Sequence, residues 1–153
     1  MLNWLKSLMS RPDEDVSETG RTDDPKVAAA ALLVETALSD GIYADIEEAR
    51  ILHVLTNTFA IDETEARSIL SDAEDLAEHA SGAHQYTKIV KSLPADACIR
   101  FIEGLYYVSF ADGEKCPIED AFVRHVASLL HVEDRDRAEA RQRAEEKSQT
   151  EAQ

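Results

Sequence analysis

Two helix-breaking Asp-Gly pairs divide the chain, and each stands directly after an apolar segment. Asp40-Gly41 follows Val27 to Leu38, and Asp112-Gly113 follows Ile99 to Ala111. The pairs lie 72 residues apart, and that offset aligns the sequence around them without a gap. Ile46-Glu47 falls on Ile118-Glu119, Ala49 on Ala121, and His53-Val54 on His125-Val126. Asp62 falls on Asp134 and Ala66 on Ala138, giving nine identities in the 27 pairs from 40 to 66. The period exceeds the roughly 20–50 residues of stacked repeats. A chain of 153 residues has room for one domain of ordinary size. Two copies of a half-domain, packed face to face in a single bundle, satisfy both limits.

Each unit reads as helix. Gly and Pro are scarce inside the apolar segments, and period-two alternation of β-branched residues is absent. Asp24-Pro25 is a helix start, an N-cap acceptor followed by proline at the first helical position. The first helix runs to about Leu38 and is apolar nearly all round, as a central helix must be. A second spans about 45–59. Asp62 and Glu65 open a third, to about 80, in the manner of a capping box. A short fourth covers about 83–93, Pro94 opens a fifth, and a sixth covers about 117–131. The seventh, from Asp134, is charged with no apolar face, and the spacing predicts that it begins as a helix and frays. The expected fold is all-α: a single bundle of about seven helices carrying a pseudo-repeat. The domain boundaries follow: an amphipathic segment and acidic linker over 1–24, the helical domain over 25–138, and a charged helix end and tail over 139–153.

Charge narrows the function classes. Asp plus Glu number 31 against 16 Lys plus Arg, a net charge of −15. Nucleic-acid binding needs a basic surface, so no nucleic-acid partner is expected. Two cysteines, Cys98 and Cys116, make neither a disulfide framework nor a zinc ribbon. The segment 1–11, with Leu2, Trp4, Leu5 and Leu8, is too short for a bilayer span or a signal peptide. It is either a tail or a contact element for a protein partner or a membrane surface. A cytoplasmic location is the default expectation.

The repeated unit Asp-Gly, five residues, Glu is the candidate site. Hard cations such as Ca²⁺ and Mg²⁺ take oxygen ligands, and Asp40, Glu47, Asp112 and Glu119 supply carboxylates at matching places, for a divalent cation or for a basic partner. A second reading needs no ion. Gly41 and Gly113 suit the left-handed position after a helix, and Glu47 and Glu119 suit the first helical turn as caps. The loop is not an EF-hand: from Asp40 the third position is Ile42, the fifth Ala44 and the twelfth Ile51.

Other chemistry finds little support. Neither His-Glu-x-x-His nor Glu-x-x-His occurs, nor any P-loop, Gly-x-Gly-x-x-Gly or Gly-x-Ser-x-Gly. The repeat-related His53 and His125 are expected to be partly buried with their rings satisfied. Cys98 reads as a small core residue, and Cys116 as a helix N-cap thiol whose acidic neighbours oppose reactivity. The tyrosines read as core and rim. No enzyme activity is expected.

The segments Ala37-Leu38-Ser39-Asp40-Gly41 with Ile46-Glu47-Glu48-Ala49, and Ser109-Phe110-Ala111-Asp112-Gly113 with Ile118-Glu119, resemble the TerB-like family, named for a tellurite-resistance protein. The resemblance covers about residues 26–138. It implies a small acidic all-helical intracellular domain, linked to metal or oxyanion stress and to membrane-associated assemblies. It also implies that the Asp-Gly and following Glu positions form an acidic, cation-binding surface. A related domain accompanies J-domains in co-chaperones; no His-Pro-Asp motif is present here, so that activity is not implied.

Overall fold

The computed structural model describes residues 24–38, 45–79, 84–111 and 117–152, with the side chains of 78, 79, 84, 85, 117–119 and 152 left aside. Its helices are α1 (Pro25–Leu38), α2 (Asp45–Phe59), α3 (Glu63–His79), α4 (His84–Val90), α5 (Ala95–Ser109), α6 (Pro117–Leu129) and α7 (Asp134–Ala152). No strand occurs among the described residues, and the fold is all-α. No helix among them is long and apolar enough to cross a membrane.

The helix starts follow from their caps. Asp24 Oδ1 accepts the Lys26 N–H at 2.9 Å, while the Asp24 carbonyl accepts from Ala28 at 3.0 Å. Asp62 Oδ1 accepts the Glu65 N–H at 2.8 Å, satisfying one of the donors that a helix start leaves open. Helix α2 closes on Ala60 and α6 on His131, both with positive φ (55° and 59°), the left-handed turn that ends a helix.

Helix α1 is the central element. Every residue from Val27 to Val34 is at most 4% exposed, so its whole circumference is covered. It packs on α3, α4, α5 and α2, and lightly on α6. The repeat is visible in the packing. Within the first half α1 pairs with α3 and with α2; within the second, α5 pairs with α7 and with α6. Helix α4 joins the halves. The correspondence fades in the third helix of each: Ala66 is fully buried, whereas its match Ala138 is exposed.

Helix α7 departs from the expected fraying and continues to Ala152. It docks through small residues, not an apolar stripe. Ala140 and Ala144 are fully buried and Ser148 is 8% exposed, one turn apart on the face toward α5. Small side chains let the two backbones approach. Arginines then complete the contact. Arg137 donates to the Tyr106 hydroxyl at 3.2 Å, and Arg143 meets Glu103 at 2.6 Å. The Arg141 guanidinium lies 5.9 Å from the Tyr106 ring centroid and 5.8 Å from that of Phe110, within cation–π reach. Arginine stems cover apolar surface while their heads find polar partners, which lets so polar a helix pack.

Candidate functional site

Of the four repeated acids, two fall within the described helices. Glu47 and Glu119 occupy matching places in the first turns of α2 and α6. Glu47 is 6% exposed, unusual burial for a carboxylate. The Glu119 side chain, together with Asp40 and Asp112, lies outside the described residues. So do the segment 1–11, the linker to residue 23, Tyr43 and Cys116. Among the described residues no group of three or more His, Cys, Asp or Glu is placed to hold a metal.

The first turn of α2 is acidic, with Asp45, Glu47 and Glu48. A groove of about 500 Å³ runs between α2 and α3 along another face of α2, lined by Asp45, Glu48, Leu52, Glu63 and Arg67 among others. Arg67 is its described cation. It bonds Glu63 at 2.9 Å and reaches Glu48 at 4.0 Å. The three acids of that first turn stand where negative charge suits the helix dipole. Leu38 and Ile46, the exposed large hydrophobics among the described residues (41% and 50%), stand on either side of the first Asp-Gly loop.

A second polar centre lies one turn along α2, and the sequence did not signal it. Arg50 is 8% exposed. Its Nη1 donates to the Tyr107 carbonyl at 2.7 Å and to Ser148 Oγ at 3.0 Å. Its guanidinium lies 4.4 Å from the Tyr107 ring centroid. Ser148 in turn donates to the Phe110 carbonyl at 3.3 Å. The Tyr107 hydroxyl donates to Glu151 at 2.5 Å; burial and this bond push its pKa up to about 12. Arg50 thus joins α2, α5 and α7 through side chains. A mid-helix arginine in an acidic chain has no local pattern that marks it as buried.

The histidines differ from expectation. His53 and His125 both face solvent, since α2 and α6 turn those positions away from the core. The His53 ring is nonetheless engaged by Asn57 and Lys147. Partial burial, and then the Lys147 and Arg50 charges, hold its pKa below the usual histidine value. Cys98 is buried, its thiol directed at the Val90 and Leu93 carbonyls, and burial raises its pKa. Tyr86, Tyr106 and Tyr107 are core residues.

A family model described as tellurite resistance protein TerB matches residues 26–142, from the first turn of α1 to the middle of α7. No curated protein and no solved structure matches the chain. The matched span contains both Asp-Gly loops, both repeated glutamates and the helices that carry them, and the chain belongs to the TerB family.

Proposed function

We propose that this chain is a non-enzymatic TerB-like module that binds a divalent cation, Ca²⁺ or Mg²⁺, through Asp40, Glu47, Asp112 and Glu119. The observation that supports it is the repeat itself: the same Asp-Gly and Glu pair, Asp40 with Glu47 and Asp112 with Glu119, recurs 72 residues apart. Oxygen-only ligands suit Ca²⁺ and Mg²⁺ over softer metals. A cytoplasmic role in metal or tellurite stress rests on family membership. Thermal unfolding with Ca²⁺, Mg²⁺ or EDTA tests the site. Saturation at a hundred times Kd stabilises by about 2.7 kcal/mol. Absence of any shift, or the same shift in Asp40→Ala/Asp112→Ala, removes the cation.

A second reading is a protein-interaction module in which the acids serve as caps. Exposed Leu38 and Ile46, bracketing the first loop, favour it. Under it, Ile46→Ser abolishes partner recovery in a pull-down while Asp40→Ala does not.

A further inference from the structure

Away from the acidic loops, the structure brings more hydrogen-bond donors than acceptors to one small cavity. It lies where α2, α5 and α7 meet and encloses about 110 Å³. Val54, Gly104 and the Tyr107 ring give it an apolar floor. The helices are at close approach there: a Cβ added at Gly104 would sit 2.5 Å from Val54 Cγ1. The rim carries His53, Asn57, Arg100, Glu103 and Lys147.

Lys147 Nζ lies 2.6 Å from His53 Nε2, and Asn57 Nδ2 lies 2.8 Å from the same nitrogen. An ammonium has only donors, so Nε2 is the acceptor and the neutral ring carries its proton on Nδ1. One lone pair thus serves two donor groups, leaving N–H bonds on both Lys147 and Asn57 to spare. Lys147 is also steadied 4.6 Å from the Tyr107 ring centroid. Arg100 gives one nitrogen to Asp96 at 3.0 Å and keeps further donors. The rim carboxylate, Glu103, is engaged by Arg143 at 2.6 Å.

We propose that this cavity binds a small organic carboxylate. Its head takes the spare donors of Lys147, Asn57 and Arg100, and its hydrocarbon or aromatic body lies on Tyr107, Val54 and Gly104. A carboxylate supplies acceptors to these spare donors and forms charge-assisted bonds with both cations. The apolar floor selects against inorganic anions. The protein's net charge of −15 disfavours multiply charged ones. The volume is well below the ~300–1,000 Å³ of sites for drug-sized ligands, which sets the ligand class as small. This site is independent of the acidic loops and of any cation there.

Backbone amide NMR of the full chain, titrated with sodium benzoate, tests the site. Benzamide serves as the neutral isostere and sodium sulfate as the inorganic anion. Saturable shifts at Val54, Gly104 and Tyr107 with benzoate alone are expected. Affinity falls roughly tenfold or more in Lys147→Gln and in Arg100→Gln, two rim substitutions outside the core. The proposal is overturned if benzoate produces no saturable shift. It is equally overturned if benzamide or sulfate moves the same amides as strongly, or if both variants bind as tightly as the parent.

Discussion

Tyr107 concentrates more of this molecule's chemistry than any other described residue. Its carbonyl accepts from Arg50, its ring carries Arg50 and Lys147, and its hydroxyl donates to Glu151. A pKa raised to about 12, against about 10 unfolded, means that the unfolded chain loses this proton first. The contribution is therefore complete below pH ~10 and is lost as pH rises toward 12. Absorbance titration of tyrosinate should show a step near pH 12 that Tyr107→Phe deletes. His53 acts at the other end of the scale with the opposite sense. Its folded pKa is lowered, so its contribution is complete above the unfolded value of about 6.5 and is lost as pH falls through the folded value. Loss of stability on acidification below pH ~6.5 should be shallower in His53→Gln, read as thermal midpoints across pH. Neither residue's role was legible in the sequence. Tyr107 read as an ordinary core or rim aromatic, and His53 as a partly buried histidine with its ring satisfied. What distinguishes them comes from α7, a segment 40 or more positions away along the chain.

At the scale of elements, the helices that bury apolar residues were legible and the helix that buries alanines was not. Val27 to Val34 admits one interpretation, a helix covered on all sides, and the caps at Asp24 and Asp62 mark starts through local chemistry. Helix α7 has no such signal, because its docking depends on what α5 presents. Ala140, Ala144 and Ser148 work by being small, and alanines also occur on exposed helix faces, as Ala138 shows. A larger side chain at Ala144 should force α7 outward. Ala144→Leu is expected to cost about 1–3 kcal/mol by overpacking, whereas Ala138→Leu stays within about 0.5 kcal/mol. Chemical denaturation of both variants checks the contrast. The α2–α5 crossing obeys the same rule. Gly104→Ala gains up to about 1 kcal/mol of helix propensity but drives a Cβ into the stiff, β-branched Val54. Overpacking of about 1–3 kcal/mol outweighs that gain. Val54→Ala in the Gly104→Ala background should therefore cost less than Val54→Ala alone, a coupling that a double-mutant cycle measures directly.

For the whole molecule, net charge and the repeat pull in different directions, and one comparison separates them. A charge of −15 on a chain of this size repels itself, so any salt should stabilise the bundle by screening. A divalent cation does this too, and more strongly per ion, without any site. A raised midpoint in CaCl₂ alone consequently says nothing about Asp40 or Asp112. The distinguishing quantity is the stabilisation that CaCl₂ or MgCl₂ gives beyond NaCl at matched ionic strength. If the four repeated acids form a site, that excess saturates at low cation concentration, because mass action depends on Kd and not on the Debye length. Removing two of the four acids in Asp40→Asn/Asp112→Asn should abolish the excess. The same variant in NaCl should be slightly more stable than the parent, since it carries two fewer negative charges in an acidic protein. A control that changes net charge equally elsewhere, Glu133→Gln/Asp136→Asn at the start of α7, should keep the excess in CaCl₂. An excess lost equally in both double variants identifies general charge reduction as the cause. The repeated acids would then serve as helix caps, with no cation between them.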